Sequence, residues 1–220
     1  MSHKVFAERL ERLEGRLLEM SHSAQTLVEE AVTYALSGDG SVASVREGDT
    51  KIDQEEVAIE EECIELLALH QPMASDLRLL VTILKVNSDL ERIGDHAVNI
   101  AEAAERLRAS SQPPAMPPEV PEMSRIAMGM LRDAMEALVH RNADEAQDVR
   151  ERDDRVDGLH ESVFRVMLTH MLESNISACL QVILISRNLE RIADLATNIA
   201  EDVVFMVRGI TVRHGGAPTA

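Results

Sequence analysis

Residues 90–102 read LERIGDHAVNIAE, and residues 189–201 read LERIADLATNIAE. The two stretches are identical at ten of thirteen positions and lie 99 residues apart in a chain of 220. Their apolar residues recur at the spacing of an amphipathic helix. A repeat of this length predicts a duplicated domain that carries the same helix in each half.

The repeat keeps polar residues as well as apolar ones, although folding alone requires only the apolar positions. Each half is therefore expected to present the same chemistry. The shared polar residues of the first half are Glu91, Arg92, Asp95, Asn99 and Glu102, which correspond to Glu190, Arg191, Asp194, Asn198 and Glu201 in the second half.

The pattern of apolar residues predicts an all-α protein made of two tandem antiparallel three-helix bundles, with six long helices in total. We assign residues 1–109 to the first bundle and residues 122–208 to the second. Five of the seven prolines lie in residues 110–121, so we expect a stiff linker there. Residues 209–220 are glycine-rich and are expected to form a disordered tail.

Each predicted helix is amphipathic and must bury one stripe of side chains against its neighbours. On the first helix this stripe consists of Phe6, Leu10, Leu13, Leu17, Met20, Ala24 and Leu27. The six predicted helices cover residues 4–36, 41–70, 73–108, 122–140, 143–172 and 175–207.

The composition excludes several classes of function. With 39 acidic and 22 basic residues, the net charge of −17 repels nucleic-acid phosphates and anionic lipids, so we expect no direct nucleic-acid binding. With one Tyr, three Phe and no Trp, the chain lacks aromatic platforms for base stacking. The longest uncharged apolar-rich stretch, 174–186, is shorter than the about 20 residues of a membrane span, so no membrane insertion is expected.

Cysteine usage and the amino terminus both predict a cytoplasmic protein. Cys63 and Cys179 occupy different places in the two repeats and neither has metal-ligand spacing. We interpret both as buried free thiols in a reducing compartment. The amino terminus has no apolar core of the kind found in signal peptides.

Acidic residues spaced four apart occur four times, twice in each half, and each pair occupies neighbouring turns of one helix. An asparagine follows one turn after the pair on each third helix, Asn99 in the first half and Asn198 in the second. The four pairs are Asp49–Asp53, Glu91–Asp95, Asp153–Asp157 and Glu190–Asp194.

Two interpretations of these pairs stay open. They can form a solvated acidic face, which costs only about 0.2–0.5 kcal/mol per pair of like charges. Alternatively, clustered carboxylate and amide oxygens suit divalent cations such as magnesium, manganese or iron. Recurrence of the pairs in both halves makes the metal site as well supported as the solvated face.

No sequence motif supplies an enzyme nucleophile. The chain contains no nucleophile elbow, no Walker phosphate loop and no Rossmann fingerprint. One hypothesis is an interaction protein without enzymatic turnover. The alternatives are a metal-dependent phosphohydrolase that uses two ions, and a plain helical scaffold with a solvated acidic face.

Two three-helix repeats with the LERIxDxAxNIAE motif on each third helix resemble the PhoU family. Residues 71–78, QPMASDLR, and residues 45–49, VREGD, also match the pattern of that family. The likeness covers about residues 4–208, and the combination of motifs is specific.

The resemblance implies a cytoplasmic regulator of high-affinity phosphate uptake that acts negatively on phosphate-starvation signalling. It implies contact with two partners, the ATPase subunit of a phosphate transporter and a sensor histidine kinase. Long exposed helices also make a homodimer plausible.

The resemblance further implies clusters of bound metal, with iron, manganese, magnesium or zinc as the candidates. By position, the implied ligands are the eight acidic residues of the four pairs, with four further residues of second rank. The eight are Asp49, Asp53, Glu91, Asp95, Asp153, Asp157, Glu190 and Asp194; the four are Asn99, Asn198, Glu102 and Glu201.

Overall fold

The computed structural model describes residues 2–172 and 175–211. Within these residues the chain forms helices and no strands, so the prediction of an all-α protein is confirmed. The helices are α1 (Ser2–Leu36), α2 (Val42–His70), α3 (Ser75–Arg108), α4 (Glu119–His140), α5 (Ala143–Arg150), α6 (Asp153–His170) and α7 (Ile176–Arg208).

The predicted pair of three-helix bundles is also confirmed. Helices α1, α2 and α3 pack on one another and form the first bundle. In the second bundle α4 and α7 pack against α5 and α6, which together take the place of one long middle helix. Short connections make the successive helices of each bundle antiparallel, except for α5 and α6, which follow one another as parts of one arm.

The stripe predicted for α1 is its buried face. Every one of its seven residues is buried, and each belongs to a hydrophobic core that continues through both bundles. Burial of such a stripe supplies most of the stability of a helix, since helical propensity alone is marginal in water.

The prediction of one continuous helix over 143–172 was wrong at residues 151–152, which separate α5 from α6. There the N–H of Arg152 donates to the carbonyl of Val149, three residues back, as in a tight turn. The six residues between the buried Val149 and Val156 are all charged. Arg150 lies in the last turn of α5, and Asp153 and Asp154 lie in the first turn of α6, so these charges suit the end of one helix and the start of another.

Helix α4 begins at Glu119, three residues before the predicted start at residue 122. Pro121 is the third residue of the helix, where a missing N–H does no harm because that donor has no partner inside the helix. The last three residues of the predicted linker, 110–121, are therefore helical. The wider division of the chain into domains stays a prediction.

Two residues with positive φ reverse the chain between α2 and α3. Gln71 has a φ of 45° and Ala74 a φ of 50°. Because Ala74 lies outside helical geometry, α3 begins at Ser75 and not at residue 73 as predicted. At the other end of the chain, residues 212–220 of the predicted tail lie outside the described residues.

The two bundles pack together along α3 and α7, which run antiparallel. Nε of Arg78 donates to the carbonyl of Met206 at 3.0 Å, near one end of the contact. Near the other end, Nε of Arg106 donates to Gln181 at 3.1 Å. Between them, an ion pair of 2.7 Å joins Lys85 to the buried Asp202. The third helix of each repeat thus forms the seam of the molecule.

Two further predictions concern buried thiols and membrane spans. Both Cys63 and Cys179 are free and buried, as predicted. None of the described helices is long and apolar enough to cross a bilayer.

Because one core runs through both bundles, truncation of a buried leucine should destabilise the whole chain. We expect Leu189→Ala, on α7, to lower the free energy of unfolding by about 2–5 kcal/mol. Leu189 is fully buried, whereas Leu172 is 86% exposed. Leu172→Ala should therefore lower the free energy of unfolding by less than about 0.5 kcal/mol. Urea unfolding followed by circular dichroism at 222 nm measures the free energy of unfolding of both variants. Equal losses in the two variants would contradict the shared core.

Candidate functional site

The first-half carboxylates lie where α2 packs on α3. Asp49 and Asp53 are one turn apart on α2, and Glu91 and Asp95 are one turn apart on α3. The charges of Asp53 and Asp95 both raise the pKa of Asp49, so the two pairs are within electrostatic reach of each other. The fold therefore brings together two acidic pairs that are separated by about forty residues in the chain.

Gly94 allows Asp49 to approach the backbone of α3. A Cβ atom on Gly94 would lie 2.6 Å from Oδ1 of Asp49, a distance that real Cβ atoms do not show. Any larger residue would therefore displace the carboxylate. The corresponding position in the second half is Ala193, so the two halves hold their first aspartate in different ways.

The carboxylate of Asp49 is poorly solvated and lacks a counter-charge. Its Oδ1 atom is buried and accepts no hydrogen bond from the described residues. Burial raises the pKa of Asp49 to about 6, and the neighbouring carboxylates of Asp53 and Asp95 add to the effect. At neutral pH a negative charge is held here at a cost in free energy.

Glu91 is affected in the same way, and its pKa is raised by burial, then by Asp95 and Asp53. In the described part of the chain, no Lys, Arg or His lies within 4.0 Å of the carboxylates of Asp49, Asp53, Glu91 or Asp95. The first-half pairs are therefore a cluster of four carboxylates without an ion-pair partner.

The second-half cluster lies between α6 and α7. Burial raises the pKa of Asp153 to about 6, with Asp194 and Asp157 contributing, while Thr197 partly offsets the effect. Neither Oδ1 of Asp153 nor the Thr197 hydroxyl oxygen makes a hydrogen bond of normal geometry among the described atoms. The pKa of Asp157 is raised by burial and then by Asp194.

One arginine distinguishes the two clusters. Nη1 of Arg191 lies 2.8 Å from Asp194 and partly neutralises the second cluster. The equivalent Arg92 turns back to Asp89 at 3.5 Å instead. The counterpart of Asp89 in the second half is Asn188, which carries no charge to hold the arginine. A single difference outside the motif thus changes the charge of the site.

The remaining predicted ligands differ in their surroundings. Asn99 and Asn198 are both exposed, one turn beyond the acidic pairs. Asn198 lines a cavity of about 420 Å³ together with Asp153 and Asp194. Glu190 is half-buried, and its Oε2 lies 3.8 Å from Nε of Arg191.

The second-rank glutamates are held by arginines of the neighbouring helix. Arg46 of α2 pairs with Glu102 at 2.5 Å, and the pKa of Glu102 is lowered mainly by that hydrogen bond. Arg150 pairs with Glu201 at 3.2 Å in the second half. Sequence reasoning missed these paired arginines, although both occupy the same place in the repeated VRE motif.

As placed, the described side chains include no group of three or more His, Cys, Asp or Glu residues ready to hold a metal ion. The donor set nevertheless fits a hard or borderline cation, because it consists of carboxylate oxygens. Asp49 and Asp153 each bring a buried oxygen without a hydrogen bond. A cation would have to draw the two acidic pairs of a cluster together.

Neutralising Asp49 should stabilise metal-free protein at neutral pH. Its folded pKa of about 6 exceeds the ordinary value of 3.8, so its ionisation opposes folding above pH 6. We expect Asp49→Asn in EDTA to raise the melting temperature at pH 7.5 by about 2–4 °C, the shift given by roughly 1 kcal/mol after solvent screening. At pH 5 the difference should shrink, because the wild-type aspartic acid is then mostly protonated.

Glu102→Gln is the matched control, with the opposite sign. The folded pKa of Glu102 lies below 4.5, so its ion pair with Arg46 stabilises the fold above that pH and is lost as the pH falls. The control should melt lower at pH 7.5. A lower melting temperature for Asp49→Asn at pH 7.5 would contradict the electrostatic description of the cluster.

Comparison with known proteins identifies the family. The family model described as "PhoU domain" matches residues 17–104 and again residues 120–203. The PhoU homolog of Pseudomonas putida, named a phosphate-specific transport system accessory protein, is 41% identical over 214 residues, which is 96% of this chain and 84% of the relative. The PhoU accessory protein of Escherichia coli K12 is 34% identical over 215 residues, 96% of this chain and 88% of that protein.

Two solved structures share the fold along almost their whole length. The crystal structure of PhoU from Pseudomonas aeruginosa superposes with a TM-score of 0.88 at 39% identity and covers 93% of this chain and 99% of that one. The crystal structure of PhoU from Streptococcus pneumoniae superposes with a TM-score of 0.88 at 29% identity. It covers 95% of this chain and 100% of that one. With two domain matches that span most of its length, the chain belongs to the PhoU family.

Proposed function

We propose that this chain is an accessory protein of a phosphate-specific transport system and acts in the cytoplasm as a non-enzymatic, negative regulator of phosphate uptake and phosphate-starvation signalling. The relatives from Pseudomonas putida and Escherichia coli carry that accessory name. The observation that carries the proposal is the pair of carboxylate clusters at matched positions in the two halves. Such a surface changes its charge when a cation binds.

The clusters are the proposed metal sites. In the first half Asp49, Asp53, Glu91 and Asp95 would hold the ion, because all four lack an ion-pair partner in the described structure. Asn99 is close enough in sequence to add an amide oxygen. Magnesium, manganese, iron and zinc all accept carboxylate ligands, so the donor set does not distinguish among them.

The second half is proposed to bind metal less tightly. Asp153, Asp157, Glu190 and Asp194 supply the same donor types, with Asn198 beside them. The ion pairs that Arg191 makes with Asp194 and Glu190 compete with a metal there. Unequal binding by the two halves would give the regulator a graded response to metal concentration.

Phosphate is not expected to bind directly to either cluster, because the carboxylates repel it. A bound cation reverses the sign of the local charge and provides open coordination positions for phosphate oxygens. The proposal therefore makes any phosphate sensing at these sites dependent on metal.

The proposed partners are the ATPase subunit of the transporter and a sensor histidine kinase. Two rows of exposed apolar side chains on the α6–α7 hairpin support a protein contact, since apolar surface of this kind marks interaction sites. We call these rows the hairpin patch. One row, in α6 and just after it, is Phe164, Leu168 and Leu172; the other, on α7, is Ile176, Leu180 and Leu184. A second copy of the chain, as in the predicted homodimer, is the alternative occupant of this surface.

A serine hydroxyl and a histidine ring are in contact near the second cluster, but they do not form a catalytic nucleophile and base. Nδ1 of His160 lies 3.0 Å from the Ser186 hydroxyl oxygen. That hydroxyl is fully buried and donates to the carbonyl of Ile183 at 2.9 Å, so it is not accessible to a substrate. The contact positions helices and leaves metal-assisted hydrolysis as the enzymatic alternative.

Metal binding is tested by titration of chelator-stripped protein with Mn²⁺ in a calorimeter. We expect saturable binding to wild type and an affinity at least about tenfold weaker in Asp95→Asn/Asp194→Asn, because each substitution removes an anionic ligand. Elemental analysis of protein purified without chelator should show the same loss.

Glu102→Gln/Glu201→Gln is the control, because both glutamates are already held by arginines. Its affinity should stay within about twofold of wild type. Metal content that survives unchanged in the Asp95/Asp194 variant would overturn the ligand assignment. Metal-dependent phosphatase turnover that disappears in this variant would favour the phosphohydrolase.

The partners are tested by pull-down from phosphate-replete cells, scored for the transporter ATPase and the sensor kinase. We expect wild type to retain both, and Leu168→Glu/Leu180→Glu to retain at least about tenfold less, since charges in an apolar contact are costly. Val57→Glu, at a half-exposed position of α2, is the control. Retention of neither protein by wild type would contradict the proposal.

A further inference from the structure

A cleft of about 720 Å³ opens where α1, α4 and α6 meet. Four arginines line it. Arg125 and Arg132 project from α4, while Arg152 and Arg155 come from the start of α6. We call this feature the arginine cleft; it is separate from both carboxylate clusters.

The arginine cleft contrasts with the charge of the whole chain. Although the chain carries a net charge of −17, the lining of the cleft holds four guanidinium groups and one carboxylate. Glu29 lines the cleft itself, and Glu122 pairs with Arg155. Asp133 is shared by Arg132, at 3.1 Å, and Arg152, at 2.8 Å.

Arg125 is the unpaired member of the set. It is exposed, and no carboxylate of the described residues lies within 4.0 Å of it. One more acidic residue, Glu136, reaches Arg132 only at the limit of 4.0 Å and lies outside the lining. The cleft therefore keeps one guanidinium group that no carboxylate neutralises, beside three that are already paired, and such groups bind anions.

The break between α5 and α6 creates this arrangement. Arg152 lies in the turn itself, and Arg155 lies in the first turn of α6. Gly129 on α4 lies beside Arg152, and a Cβ atom there would be in ordinary van der Waals contact with Nη1 of the arginine, at 3.8 Å. The helix break that sequence analysis missed thus turns two arginines towards α4.

The first half does not repeat the cleft. Gly48 occupies the position that corresponds to Arg152, and Leu27 of α1 closes over it, so that a Cβ atom would lie 2.4 Å from the leucine methyl. The groove beside it is lined by Glu30, Glu47 and Lys51, and no arginine contributes. Duplication of the chain therefore does not explain the four arginines.

The remaining lining is partly apolar. Val32 and Leu36 of α1 and Ile126 and Met128 of α4 provide hydrophobic surface next to the arginines. The volume lies within the range of about 300–1,000 Å³ that is usual for small-molecule sites. Guanidinium groups match pairs of phosphate oxygens, and apolar walls suit a base or a sugar face.

We propose that the arginine cleft binds a di- or triphosphate, with a nucleotide and an inorganic polyphosphate as the two sources of that chemistry. The phosphate chain would contact Arg125 and Arg132 along α4 and reach Arg152 and Arg155 at the turn. This inference does not rest on the proposed metal sites, which lie on other helix faces.

The test is calorimetric titration of the full chain in EDTA with ATP, ADP, pyrophosphate and tripolyphosphate. EDTA removes any metal that could bridge phosphate to the carboxylates. We expect saturable binding that Arg125→Gln weakens by about tenfold or more, the effect of losing a charge-assisted hydrogen bond. Arg12→Gln, another exposed arginine on α1, should stay within about twofold of wild type.

A second variant adds a charge instead of removing one. Thr33→Glu, at an exposed position of the α1 wall, should weaken binding by repulsion without loss of a native ion pair. Equal melting temperatures establish that both variants fold. Tighter binding of ATP than of tripolyphosphate supports a nucleotide, and equal binding supports the phosphate chain alone.

Three results would overturn the proposal. One is that none of the four compounds binds with a dissociation constant below 1 mM, which corresponds to a binding free energy of about 4 kcal/mol. Another is an affinity that both Arg125→Gln and Thr33→Glu leave unchanged. The third is tighter binding of a polyglutamate peptide than of any polyphosphate, which would assign the cleft to an acidic protein partner.

Discussion

Asp49 rests against the backbone of α3 at Gly94, with one carboxylate oxygen out of reach of any described hydrogen-bond donor. The charges nearest to it are those of Asp53 and Asp95, which have the same sign. Folding therefore assembles a cluster that is unfavourable by itself at neutral pH. A bound cation would remove this repulsion, so the proposed metal site would use the same contact that costs stability in the free protein.

The position of the clusters connects them to the rest of the molecule. Each cluster uses the third helix of its repeat, and those two helices, α3 and α7, pack on each other along the seam. Lys85 with Asp202, and His96 with Asn188 at 2.8 Å, cross that seam. The hairpin patch lies in the second bundle, whereas the arginine cleft lies between that bundle and α1 of the first bundle.

Periodicity and repetition predicted the fold and the location of the acidic pairs, because apolar spacing defines helix faces and a duplicated motif must occupy the same place twice. Local sequence did not predict the break at Arg152, where the basic last turn of α5 meets the acidic first turn of α6. Nor did it predict that Arg92 turns to Asp89 while Arg191 pairs with Asp194. Those outcomes depend on side-chain partners that become neighbours only in the folded chain.

The most direct measurement is anomalous diffraction from crystals of the full chain soaked with Mn²⁺. A metal held by the clusters predicts a peak between α2 and α3, with oxygens of Asp49, Asp53, Glu91 or Asp95 at about 2.0–2.6 Å. A weaker peak is predicted between α6 and α7, beside Asp153. Peaks at other surface carboxylates and none between these helices would contradict the account.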